Sequence, residues 1–302
     1  MKRKHICYNT AILFLTALMI LGCGEGIVEV DDSQYQPKIA IEGFLFPHQP
    51  VERIYITRNF RVDQNLRQTG ILLPNADVTL TDLQSGEVYP LTFDQDEYFF
   101  RYTGSDLLIE YGHSYRLDVQ ATIEGSALQA GAVTTVPEAP LAITGVNYDS
   151  LSYYQRDGDG NVLNFDVEFE RVNGIDVYLA TLIARDAAVE TFIYDNSFEE
   201  YDEADVLDDL DDLRYEWDWI QNTPPGPGKS DIPIFWYHLW FYGDYEIVIY
   251  APDRNYQDFL RTYDEVQEID GNFHEPVFHI EGDGIGVFGS AVSDTVHVRV
   301  LP

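Results

Sequence analysis

The chain has 302 residues, with 52 acidic against 18 basic side chains and a formal net charge of −34 at neutral pH. So acidic a surface repels nucleic-acid phosphates and anionic lipid head groups, which excludes a nucleic acid partner and a membrane reached through a basic patch. Divalent cations, basic ligands or a cationic protein surface are what such a charge attracts; a solvated coat is its blander use.

Lys2, Arg3, Lys4 and His5 precede an apolar run at 11–21, broken by Thr16 and closed by Gly22, which is the layout of a secretory signal. A transmembrane helix needs about 20 apolar residues, and this run is about half that long, so it starts export without staying as a span. Ile20-Leu21-Gly22-Cys23 resembles the bacterial lipobox. The resemblance implies cleavage ahead of Cys23 and attachment of acyl chains to it, enough for stable anchoring. The alternative is an ordinary cleaved signal that carries a cysteine. Cys7 and Cys23 are the only cysteines, so the mature body has no disulfide, no thiol nucleophile and no thiolate metal site, and its core must hold it. The signal peptide is assigned to 1–22 and an acidic tether, with Glu25, Glu29, Asp31 and Asp32, to 23–36. Acids directly after a lipidated cysteine resemble export tags that place lipoproteins on the outer face of the cell.

A β-sandwich domain is expected at 37–137. Ile39 and Ile41, Ile54 and Ile56, Val78 and Leu80, then Tyr115, Leu117 and Val119 alternate with polar neighbours at the period of a half-buried strand. Ser85-Gly86 and Glu124-Gly125 supply the turns. The run from Asn75 to Leu80, Tyr98, and Gly112 to Val119 resembles the prealbumin-type, Ig-like sandwich of carboxypeptidase regulatory domains. Pro137 and Pro140 close the unit as a stiff connector.

A second β-rich domain with about two helices is expected at 141–302. Strands are read at 143–148, 162–169 and 177–184, with a turn at Asn173-Gly174. Val206, Leu210, Leu213, Trp217 and Ile220 recur at helical spacing and predict an acidic amphipathic helix near 203–220, dependent on docking that stripe. After the proline-glycine loop at 223–228, the aromatic stretch 234–242 reads as a strand leading into Tyr245, Ile247 and Ile249. A helix near 253–267 carries Tyr256, Phe259, Leu260, Tyr263 and Val266 on one face, and a glycine-rich turn precedes a last strand with Val296, Val298 and Val300.

The segments Tyr245 to Ile249, Tyr256 to Phe259, Glu275-Pro276-Val277 and Gly284-Ile285-Gly286-Val287-Phe288-Gly289-Ser290 resemble an uncharacterised lipoprotein family, domain of unknown function 4249. That resemblance implies an envelope lipoprotein associated with TonB-dependent outer-membrane transporters. It brings no activity and no catalytic residues, and the acidic segment around 202–212 departs from the expected pattern.

Motifs that carry chemistry fail on context. Gly284 to Gly289 spells G-x-G-x-x-G, but no helix or ribose-binding acid follows, so close backbone packing at a tight turn is the reading. His274 and His279 sit five apart around Pro276, wrong for a zincin helix. Asp157, Asp159 and Asn161, with Glu168, offer oxygen ligands for a weak calcium site, or simply a polar hairpin turn; no other cofactor is expected. Trp236, His238 and Trp240, alternate residues of the aromatic strand, are the candidate ligand platform, unless both faces are buried. No residue is assigned as catalytic. The sequence therefore predicts a lipid-anchored outer-membrane protein, on the cell surface or the periplasmic face, acting as a non-enzymatic ligand-binding or accessory subunit of a TonB-dependent nutrient transporter. The alternatives are an envelope hydrolase of unrecognised type and a structural or adhesive surface protein.

Overall fold

The computed structural model describes residues 35–61, 64, 70–196, 201–220, 223–266 and 276–302. The signal peptide, Cys23, nearly all of the tether, and His274 and Glu275 lie outside the described residues. Contacts divide the chain into Met1–Gln36 with Arg61–Asn65, and Pro37–Phe60 with Leu66–Pro302. Every strand and helix below belongs to the second unit.

The strands are β1 (Ile39–Leu45), β2 (Tyr55–Arg58), β3 (Asp77–Asp82), β4 (Val88–Phe93), β5 (Phe100–Arg101), β6 (Ser114–Ile123), β7 (Ser126–Thr135), β8 (Ala142–Val146), β9 (Ser150–Ser152), β10 (Phe165–Glu170), β11 (Tyr178–Ala184), β12 (Tyr215–Ile220), β13 (Lys229–Ile234), β14 (Gly243–Pro252), β15 (Glu281–Gly282) and β16 (Gly284–Leu301). Helices α1 (Glu203–Asp208) and α2 (Leu210–Leu213) precede β12, and α3 (Arg254–Val266) follows β14. One sheet runs β15-β7-β6-β3-β4-β5, a small one β13-β10-β8, and the largest β12-β11-β14-β16-β1-β2 with β9 joined to β16. The protein is mainly β, as its alternating sequence predicts.

Two apolar cores follow from that alternation. Ile39, Ile41, Ile54 and Ile56 pack opposite Val78, Leu80, Tyr115, Leu117 and Val119, all essentially inaccessible. Phe165, Val167, Phe169, Tyr178, Leu182, Ile247 and Ile249 build the second core. Strand β16 serves both. Its first half runs parallel to β1, from Ile39 opposite Gly284 to Leu45 opposite Ser290, and places Phe288 in the first core. Its second half runs antiparallel to β14 and places Val292, Val298 and Val300 in the second.

Three local expectations change. The acidic helix ends at Leu213, and Tyr215–Ile220 is an edge strand paired antiparallel with β11. Val206 is fully buried, but Trp217 stands 52% exposed. Tyr215, Trp217 and Trp219 also alternate with Glu216 and Asp218, and pairing with β11 satisfies their backbone, so period two wins over period 3.6. The aromatic stretch is no strand: β13 stops at Ile234 and Trp236–His238 is a single 3₁₀ turn. Its end is fixed by Ile193 N donating to Trp240 O at 2.9 Å and Tyr242 N donating to Thr191 O at 2.7 Å. Finally, Gly284 to Gly289 is strand rather than turn, although close backbone packing is what its glycines provide. Gly286 has φ +106°, and a Cβ there would lie 2.1 Å from Ile41 O on the paired strand.

Candidate ligand-binding groove

Each strand of the large sheet turns one set of side chains into a core and the alternate set to its other face. On that other face β1 presents Ala40, Glu42 and Phe44, β2 presents Tyr55 and Thr57, and β11 presents Leu179 and Thr181. Tyr215 and Trp217 of the edge strand extend it. Helix α3 adds Tyr256, Phe259, Leu260 and Tyr263, spaced i, i+3, i+4 and i+7 and therefore on one face. Between helix and strands is a groove of ≈ 1070 Å³, floored by Gly286 and Val287 of β16 and flanked by Ile71 and Leu72. This is the size of a ligand site rather than a packing defect.

The wall is aromatic and incompletely covered. Tyr215, Trp217 and Tyr263 are 56%, 52% and 46% exposed. Phe44 packs on Tyr256 with ring centres 4.3 Å apart, and Phe259 stacks on Tyr263 at 5.2 Å. Among the described residues no lysine, arginine or histidine lines the groove. Glu42 lies directly across from Tyr55 in the β1–β2 pair. Burial pushes the Tyr256 phenol up to about 12, with the charges of Tyr250 and Glu42 adding to it, so that hydroxyl stays protonated. Glu216 also lines the groove, but its carboxylate is engaged, accepting from Trp240 Nε1 at 2.9 Å and from Trp217 N at 3.0 Å.

What holds α3 in place is a buried polar joint. Asp253 caps the helix: its Oδ1 accepts from Tyr256 N at 3.1 Å and its backbone carbonyl from Gln257 N at 3.0 Å. Its Oδ2 accepts from the Thr134 hydroxyl at 2.7 Å, and Ser290 Oγ is 2.8 Å from the same hydroxyl. Asn255 Nδ2 donates to Val133 O at 2.7 Å and Phe288 O at 2.9 Å, so the helix start is fastened to β7 and β16 together. Gly289 allows the close approach, since a Cβ there would sit 2.9 Å from Asp253 Oδ1. Thr134, Ser290 and Asp253 are at most 5% exposed. A hydroxyl and carboxylate so enclosed position a helix.

The residues singled out in the sequence are placed elsewhere. Trp236 packs edge-on against Tyr153 and Tyr154, Trp240 stacks on Phe192, and His238 lies against Tyr237, so the three do not form one platform. Asp157 folds into its own turn, accepting from Asp159 N and Asn161 N at 2.9 Å each and from Asn161 Nδ2 at 3.1 Å. Glu168 is engaged by Lys229 at 2.6 Å and Thr144 at 2.7 Å. Among the described residues no group of three or more His, Cys, Asp or Glu is arranged to hold a metal ion, and no helix is long and apolar enough to cross a membrane.

A family model for a domain of unknown function, DUF4249, matches residues 27–296. The chain belongs to the DUF4249 family. The comparison with curated proteins finds no match. In this DUF4249 protein the match covers β1 and β2, α3 and most of β16, the elements that enclose the groove. Sequence reasoning placed Tyr256, Phe259, Leu260 and Tyr263 on one face of a helix but did not connect that face with a groove. It missed Tyr215 and Trp217 by assigning them to a helix, and the alternation of aromatic and acidic residues at 215–219 was the available signal.

Proposed function

We propose that this DUF4249 protein is a lipid-anchored, non-enzymatic binding protein of the outer membrane, tethered through Cys23, that works beside a TonB-dependent transporter and takes its ligand in the groove under α3. The single observation that carries the binding role is the groove itself: a largely apolar, aromatic-walled space of ≈ 1070 Å³ held open by a rigidly capped helix. The lipobox at 20–23 and the run of acids after it support the anchoring, and the acidic composition supports a lipid rather than an electrostatic attachment. Among the described residues, no nucleophile paired with a base lines the groove, whereas Trp and Tyr rings with free faces do.

Affinity purification from gently solubilised membranes tests the partnership. An outer-membrane transporter at comparable abundance is expected with the wild-type chain. Recovery of the protein alone contradicts the accessory role. In the same cells Cys23→Ser is expected to move the protein out of the membrane fraction.

A further inference from the structure

The groove has a marked asymmetry of charge. Its described lining holds no cation, and of its two acidic residues Glu216 is engaged by Trp217 N and Trp240 Nε1, whereas the Glu42 carboxylate has no hydrogen bond or ion pair among the described residues. Glu42 stands opposite Tyr55 on the neighbouring strand, and Tyr256 of α3 lines the same groove. A carboxylate that shares the groove lining with two phenol rings, in a trough continued by Trp217 and Tyr263, offers both a counter-charge and π faces to a positive ligand. Strongly hydrated small cations gain little there, because the surrounding wall is hydrocarbon and ring. An anion meets Glu42, the negative ring faces and a chain of net charge −34.

Resting on the binding role above, we infer that the groove selects a hydrophobic organic cation, whose charged centre lies by Glu42 and the Tyr55 and Tyr256 rings while its apolar body fills the space toward Trp217 and Tyr263. The acidic surface alone attracts cations loosely everywhere, so the discriminating quantity is the effect of Glu42 on one saturable site.

The test uses the full-length lipidated chain in zwitterionic lipid nanodiscs, with empty discs as the control for partitioning. Three triarylmethane probes of similar shape are titrated at mildly alkaline pH: crystal violet, its uncharged leuco form and a sulfonated anionic dye. Saturable binding of crystal violet at one site per chain is expected, with the leuco form weaker and the sulfonated dye weakest. Glu42→Gln is expected to weaken crystal violet roughly 3- to 10-fold while leaving the leuco form unchanged, and Glu42→Asp to restore most of the loss. Equal affinity for the charged and leuco forms, or a loss in Glu42→Gln shared by both, overturns the inference. The binding role fails separately, and is distinguished, if Thr181→Trp, which fills the groove from β11, leaves the binding of every probe unchanged with the variant's melting temperature preserved.

Discussion

Asp253 and Asp82 show how two buried carboxylates of one chain respond oppositely to acid. Burial pushes the Asp253 carboxyl up, against the opposing pull of the Thr134 hydroxyl and the Tyr256 amide. A raised folded value means the native state holds this proton more tightly than the unfolded chain, so its contribution to stability grows as pH falls through that value toward the ordinary carboxylate range. For Asp82 burial also pushes up, but the Gln84 amide, His113 ring and Ser85 amide outweigh it and hold the carboxyl below its usual value. That contribution is present above the unfolded value near 3.8 and is lost as pH falls through the folded one. In urea titrations the stability difference between wild type and Asp253→Asn is expected to widen from neutral pH to about pH 4.5, and that for Asp82→Asn to narrow only on going further, from about pH 4.5 to about pH 3. The same slope in both pairs contradicts this account. Gly286→Ala is expected to cost about 3 kcal/mol or more, because it combines a positive φ with a Cβ driven into Ile41 O. The need for glycine at this tight contact was legible in the G-I-G-V-F-G run; that the contact is with β1, about 245 residues earlier in the chain, was not, since nothing local names a strand's partner.

At the level of elements, what the sequence showed depended on whether one period dominated. Ile39 and Ile41, Val78 and Leu80, and Tyr115 to Val119 alternate cleanly, and each lies with its apolar side in the core. The segment 206–220 satisfies two periods at once, and pairing with β11 decided between them after Leu213. The 235–242 run has no polar alternation, so its pattern says nothing of period, and hydrogen bonds to Thr191 and Ile193 shaped it. The short acidic helices gain little from their own sequence, where like charges repel; α1 is held by the Asp202 cap and by Val206 in the core. Val206→Ala is therefore expected to cost about 1 to 2 kcal/mol in equilibrium unfolding, whereas Leu207→Ser, on the exposed side at 64%, stays within about 0.5 kcal/mol. A larger loss at Leu207 than at Val206 would reverse the assigned docking face.

For the whole molecule, the proline-rich connector at 137–140 separates the residues of the two cores, yet β16 runs through both. A strand shared in this way couples them, so a single cooperative unfolding transition is expected by circular dichroism and by tryptophan fluorescence. Separate midpoints would show two independently folding halves. The same strand accounts for the groove: β1 and β2 come from the first part of the chain, β11, β12 and α3 from the second, and only the joined sheet sets them around one space. That is why the sequence, which displayed the α3 stripe and the strand alternation, did not display the groove.

The groove's occupancy in the cell tests the central claim most directly. Native mass spectrometry of the protein released from its own envelope, as wild type and as Thr181→Trp, reads it without choosing a ligand in advance. Wild type is expected to carry a non-covalent organic mass beyond its lipid anchor, and Thr181→Trp to lack it. Both proteins at their bare lipidated masses, with no added organic mass and at equal folded stability, would contradict the assignment of this groove as a binding site.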